Sequence, residues 1–263
     1  MSKPRKVLLT MLALALLKMP VDVLLAATLP DASVSPVVNC LAGALVSILL
    51  LGVPAMLLRP WTSIRLPQRK FCWPGMLLGA AMALLTRAAL KPVDAAWQTW
   101  LALTPDMLPV PDGIPTAMVY IVALAVVPAI TEEVFFRGTL LTGLMDGSRR
   151  GTAVVLTTLF FALMHGSPAS LPSLVAVSLM LTFLMLHTGQ VSAAVTMHFF
   201  YNISALAWPG IPGWGSLLCG ASLIGLAAYI CLRQPKIAHV PMKRTDGLIA
   251  AAAMLLLTAL YFF

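Results

Sequence analysis

Residues 116–144 read TAMVYIVALAVVPAITEEVFFRGTLLTGL. Apolar side chains fill this run, and it exceeds the ~20 residues a helix needs to cross ~30 Å of hydrocarbon. It does not alternate with period two, so it reads as a helix and not as a strand. Its charged residues, Glu132, Glu133 and Arg137, stand together inside it. A charge at mid-bilayer costs ~2.5–3.5 kcal/mol by insertion scales, so charges kept there usually mark function.

The rest of the chain repeats the apolar pattern. Of its 263 residues 60% are hydrophobic and only 10% charged, with a mean hydropathy of +0.95. A soluble domain carries about 25% charged residues. So little charge cannot cover a water-facing surface, and the bilayer must act as solvent for much of the chain. In hydrocarbon each backbone polar group needs an internal partner, which leaves helices or a closed barrel. The apolar segments fall at about 7–29, 34–58, 73–90, 116–144, 152–168, 171–187, 192–208, 214–232 and 247–263. The expectation is an all-α, polytopic transmembrane bundle of about 8–9 spans. It forms a single membrane domain over 1–263, with its motif core at about 116–208. The stretch 91–115 reads as the longest loop, an interfacial segment with Trp97 and Trp100.

The first apolar run follows Lys3, Arg5 and Lys6, as in a signal peptide. The cleavage pattern after it is poor, and the run resumes beyond Lys18, Pro20 and Asp22. A retained, kinked first helix is expected. Lys18 and Asp22, one turn apart, should pair. Arg87 should snorkel from a helix end to the interface.

The net charge of +8 points to topology and not to nucleic acid, because the cations cluster between apolar runs. With a cytoplasmic N-terminus, the cytoplasmic connections hold Lys3, Arg5, Lys6, Arg59, Arg65, Arg69, Lys70, Arg149, Arg150, Arg233, Lys236, Lys243 and Arg244. The opposite loops carry Asp31, Asp94, Asp106 and Asp112. This positive-inside asymmetry predicts an N-in, C-out chain. Cys40, Cys72, Cys219 and Cys231 show no paired spacing and imply neither a disulfide framework nor a zinc site. Short loops and no organellar targeting signal point to a bacterial inner membrane.

Three places carry chemistry. On the 116–144 helix Glu133 and Arg137 are one turn apart in the favourable order, so they can neutralise each other. Glu132 points about 100° away and does not share that partner. The second place is Phe161-Ala-Leu-Met-His165, after the breaker-rich turn Asp146-Gly-Ser-Arg-Arg-Gly151. Glu132 precedes that turn by as many residues as His165 follows it. An antiparallel hairpin therefore puts both at one depth, about 20 Å of helix from the turn at ~1.5 Å per residue. Phe161 shares the face of His165. The third place is His198-Phe-Phe-Tyr-Asn202, with His198 and Asn202 on one face. Both can donate hydrogen bonds, which suits a developing oxyanion. Two His and a Glu would equally suit zinc.

The series E-E-x-x-F-R-G, F-x-x-x-H and H-x-x-x-N, in this order on separate apolar helices, resembles the CAAX-protease and bacteriocin-processing (Abi) family of intramembrane proteases. Type II CAAX prenyl endopeptidases are among its members. The resemblance covers about 116–208. It implies a glutamic protease with no cofactor and no metal. Glu132 would be general base on a water, and His165 would help hold that water. His198 and Asn202 would stabilise the oxyanion, while Glu133, Arg137 and Phe161 support the site. The implied partner is a peptide or membrane-protein substrate in the bilayer, with no nucleic acid. Three other readings stand beside it: a non-catalytic membrane scaffold for immunity or signalling; a transporter with the buried charges as a proton or ion path, although the sequence shows no repeat and no paired broken helices; and a zinc-dependent membrane protease, although H-E-x-x-H is absent.

Overall fold

The computed structural model describes residues 2–30, 35–58, 73–105, 108–207, 213–232 and 242–262. These form nine helical rods and, among the described residues, no strand. The rods are α1 (Lys3–Thr28), α2 (Pro36–Leu58), α3 (Trp73–Leu101), α4 (Ile114–Met145), α5 (Arg150–Met164), α6 (Pro168–Thr188), α7 (Val191–Ala207), α8 (Gly213–Leu232) and α9 (Arg244–Phe262). Five of them, α1, α2, α3, α4 and α6, are long and apolar enough to cross a membrane. Shorter apolar helices lie in α5, α7 and α8. The protein is an all-α membrane helical bundle. Of the expected topology signals, Asp31, Arg59, Arg65, Arg69, Lys70, Asp106, Arg233 and Lys236 lie outside the described residues, as does Cys72.

Two compact units make up the chain. The first holds α1, α2, α4, α5 and α9. Helix α1 buries Val7, Leu8, Met11, Leu14 and Ala15 on one stripe, as the 3.6-residue period requires. Ala250, Ala253 and Leu257 of α9 are buried too, and α9 packs on α1 and α5. Leu16, Leu17, Val23 and Leu24 of α1 stay exposed. In a bilayer these face lipid, where exposure of leucine costs nothing. At one end of the unit Lys3 pairs with Asp146 at 3.4 Å. The turn after α4 there passes close beneath the Pro4 ring, and a Cβ on Gly147 would overlap it. The cations at the start of α1 and the Arg149–Arg150 turn therefore share one end.

Neither α2 nor α4 is a regular α-helix. Ile48–Gly52 in α2, and Ile121–Val126 and Val134–Leu141 in α4, are wound as π-helix. The first two end just before Pro54 and Pro128. Proline has no N–H for the i−4 carbonyl, and a widened turn absorbs that missing bond. The third follows Glu133 directly and contains Arg137. Thr139 Oγ1 donates to the Val134 carbonyl across this widened turn, at 3.2 Å.

The second unit holds α3, α6, α7 and α8. Its tightest crossing is between α3 and α7. Gly75 and Gly79, spaced as small-xxx-small, let the backbones meet. A Cβ on Gly79 would lie 2.6 Å from the Ala193 carbonyl and 3.2 Å from the Met197 nitrogen. Helix α3 is longer than its sequence predicts: it continues through Pro92 to Leu101, so much of the expected loop 91–115 is helix. Tertiary bonds hold that extension. Trp97 Nε1 donates to the Pro168 carbonyl at 2.9 Å and Gln98 Nε2 to the Ala169 carbonyl at 3.1 Å. Asp94, expected in an outer loop, is thereby a helix residue. It accepts a short hydrogen bond from Ser173 Oγ and another from the Ser173 N–H at 3.2 Å. Arg87 is mid-helix as a result, with its guanidinium carbon 5.6 Å from the Tyr201 ring centroid.

Candidate active site

In the first unit the motif residues of α4 meet the end of α5. Glu132 is the penultimate residue of the α-helical segment Val127–Glu133 and is buried, at 9% exposure. Helix α5 stops at Met164, one residue before His165. Gly166 follows with φ +63°, a left-handed conformation that glycine adopts without strain, and it ends the helix there. The sequence places His165 inside a longer helix; the structure puts it on the cap. From this position its Nε2 lies 3.4 Å from Glu132 Oε2. Its other nitrogen, Nδ1, is 2.8 Å from the Phe161 carbonyl oxygen. A carbonyl can only accept, so Nδ1 carries the proton and Nε2 is the nitrogen that addresses Glu132.

Glu133 and Arg137 form a separate pair. Arg137 Nη1 donates to Glu133 Oε1 at 2.8 Å, and neither side chain is exposed. Burial of two charges is tolerable only because each compensates the other. The guanidinium also lies 4.5 Å from the centroid of the Phe161 ring. That ring is in turn 4.5 Å from the His165 ring and edge-on to Phe136. Phe136 meets Phe135 edge-on as well. A desolvated cation over an aromatic face is worth about 2 kcal/mol. The ion pair thus fixes Arg137, Arg137 and Phe136 fix Phe161, and Phe161 fixes His165 through its ring and its carbonyl.

Beside Glu132 and His165 lies a cavity of ≈ 150 Å³. Lys18 and Asp22 of α1, Ser47 of α2, and Phe136 are among its lining residues. Ser47 Oγ bonds Thr131 Oγ1 at 2.6 Å, tying α2 to the residue before Glu132. Thr131 donates onward to the Val127 carbonyl at 2.9 Å, so Ser47 is the donor to Thr131. The sequence marks Ser47 in no way; a lone serine in an apolar run carries no signal. Lys18 and Asp22 pair at 2.6 Å, as their spacing predicts, but nothing in the sequence shows that they face this cavity.

In the second unit His198 and Asn202 lie one turn apart on α7. His198 is buried at 3% exposure and Asn202 is half-buried. Met197, beside His198, belongs to the glycine-mediated crossing with α3. Among the described residues no group of three or more His, Cys, Asp or Glu is placed to hold a metal ion.

Residues 114–204 match the family model described as type II CAAX prenyl endopeptidase Rce1-like. The chain carries an Rce1-like segment. That segment spans α4 to α7 and contains Glu132, Glu133, Arg137, Phe161, His165, His198 and Asn202. No curated protein and no solved structure matches the chain. The Rce1-like description is that of an endopeptidase, a hydrolase acting on peptide bonds.

Proposed function

We propose that this protein is an intramembrane endopeptidase that hydrolyses a peptide bond of a membrane-associated peptide or protein through a water activated by Glu132 and His165. The observation that carries this reading is the approach of Glu132 Oε2 to His165 Nε2 at 3.4 Å, with Nδ1 already committed to the Phe161 carbonyl. A water bonded to both Oε2 and Nε2 would lose a proton to the carboxylate as its oxygen attacks the peptide carbonyl. The carbonyl oxygen becomes an oxyanion. Collapse of the tetrahedral species breaks the C–N bond, and the proton held by Glu132 passes to the departing amine.

His198 and Asn202 are assigned the oxyanion. Both side chains can donate a hydrogen bond, and donors aimed at developing charge usually supply more transition-state stabilisation in acyl transfer than any other group. Glu133, Arg137 and Phe161 support the site without touching the reacting atoms. The chain would act as one membrane domain, in a bacterial inner membrane.

The test is the purified protein in detergent with a peptide library, assayed by mass spectrometry with and without chelator. Cleavage that survives the chelator and disappears in Glu132→Gln supports the glutamate-activated water. Cleavage abolished by chelator and restored by zinc would replace that chemistry with a metal-bound water. No cleavage of any peptide, by a folded protein, would overturn the protease reading.

A further inference from the structure

The cavity beside Glu132 and His165 contains a second pair of charges, which the proposed chemistry does not use. Lys18 and Asp22 come from α1, outside the Rce1-like segment. Lys18 Nζ is 2.6 Å from Asp22 Oδ2. Their burial is unequal: the Lys18 side chain is 15% exposed and that of Asp22 54%. The cation is the inner partner and the carboxylate the outer one. Lys18 also reaches the turn that follows His165, for a Cβ on Gly166 would lie 3.3 Å from Lys18 Nζ. Among the other lining residues Gly43, Val46, Leu50, Leu51 and Met164 are apolar.

A lysine ammonium is a compact point charge that binds carboxylates. Here an internal carboxylate already sits on it, held by a side chain open enough to move away. A substrate carboxylate entering the cavity could take the place of Asp22 on Lys18, next to the Glu132–His165 pair.

We propose that Lys18 is a substrate-binding residue that takes a carboxylate of the peptide, and that Asp22 occupies it at rest. This rests on the protease reading above and names its substrate class: peptides bearing a negative charge close to the scissile bond. The carboxylate can be the chain terminus or an Asp or Glu side chain. Asp22 competes with the incoming carboxylate for the ammonium, while an uncharged group gains little from Lys18. One charge-assisted hydrogen bond corresponds to about tenfold in affinity.

The experiment has a binding arm and a cleavage arm, both on the full-length protein in nanodiscs. Matched peptides from the library carry a free C-terminal carboxylate, a C-terminal amide, or an amide with an internal Glu. Binding is measured on the Glu132→Gln background, where no peptide is consumed. The free-acid or the Glu peptide should bind about tenfold more tightly than the neutral amide; whichever does identifies the source of the carboxylate. Lys18→Met should bring that ratio to about one, and Lys18→Arg should keep most of it. Asp22→Asn, which leaves the lysine and removes its competitor, should raise the ratio by several-fold. In the cleavage arm kcat/KM should follow the same order. Equal binding of all three peptides, or a preference that survives Lys18→Met, overturns the assignment. If the preference appears in binding but no peptide is cleaved by the wild-type chain, the protease reading falls and the carboxylate site stands.

Discussion

Glu132 Oε2 and His165 Nε2 face each other at 3.4 Å, although one belongs to α4 and the other caps α5. The separation exceeds an ordinary N–H···O bond of 2.7–3.2 Å. A water oxygen bonded to both groups would link the carboxylate to the imidazole. The adjacent carboxylate, Glu133, is neutralised by Arg137 and takes no part in this contact. Two neighbouring glutamates thus have different surroundings, and they should respond differently to the same substitution.

Glu132→Gln keeps the shape of the side chain and removes its basicity. Peptide cleavage should fall by about 10²–10⁴-fold, the usual contribution of a general base. Thermal stability should change little, because glutamine fills the same volume and its amide N–H can donate to His165 Nε2. The check is kcat from single-turnover cleavage, with the melting temperature in the same detergent. Retention of most of the activity would remove Glu132 from the role of base.

Glu133→Gln leaves Arg137 buried without its counter-charge. Breaking such a pair costs about 3–5 kcal/mol. The yield of folded protein and its melting temperature should both drop. Replacing both residues together, Glu133→Met with Arg137→Met, should recover part of the stability, since no stranded charge remains. Size-exclusion profiles and thermal melts distinguish these outcomes. A Glu133→Gln protein as stable as wild type would contradict the bracing role.

The crossing of α3 and α7 gives a graded prediction. At Gly79 a Cβ would lie 2.6 Å from the Ala193 carbonyl, a backbone atom that cannot turn aside. At Gly75 the nearest atom is a Thr188 methyl at 3.2 Å, which can yield slightly. Gly79→Ala should therefore cost stability of roughly 1–3 kcal/mol, in the range of overpacked cores. Gly75→Ala should cost less. Because α7 carries His198 and Asn202, Gly79→Ala should also lower kcat. Thermal melts and kcat on one preparation of each variant provide the comparison; equal effects at the two positions would show that the backbone contact does not control the crossing.

Much of this organisation was legible in the sequence, for identifiable reasons. The membrane class follows from composition, because too little charge leaves no other solvent. The Glu133–Arg137 and Lys18–Asp22 pairs follow from i, i+4 spacing on one helix, which is a local rule. The extension of α3 to Leu101 was hidden: its Pro92 and polar residues read as a loop, and the bonds from Trp97 and Gln98 to the 168–169 carbonyls are nonlocal. The π-helical turns were hidden too, although Pro54 and Pro128 mark where two of them end. Ser47, and the side of α1 on which Lys18 and Asp22 face the cavity, depend on packing between helices far apart in sequence. No periodicity within either segment encodes that.

Topology can be tested without any substrate. Lys3 contacts Asp146, and Gly147 packs under Pro4, so the start of α1 and the α4–α5 turn lie at one end of the first unit. Both carry clusters of cations: Lys3, Arg5 and Lys6 on one, Arg149 and Arg150 on the other. Positive charges of this kind are retained on the cytoplasmic side. A reporter fused before Lys3 and one inserted after Arg150 should both behave as cytoplasmic. If each of the nine rods crosses the bilayer once, the C-terminus lies opposite, and a reporter after Phe263 should behave as extracytoplasmic. Paired alkaline phosphatase and fluorescent-protein fusions read the two compartments in opposite senses. Reporters at the N-terminus and at Arg150 on different sides would contradict the Lys3–Asp146 contact that sets the start of α1 beside the turn of the α4–α5 hairpin. Reporters at both chain ends on the same side would leave that hairpin intact and require an even number of crossings, with α7 or α8, the shorter apolar helices outside it, as the first to be reassigned.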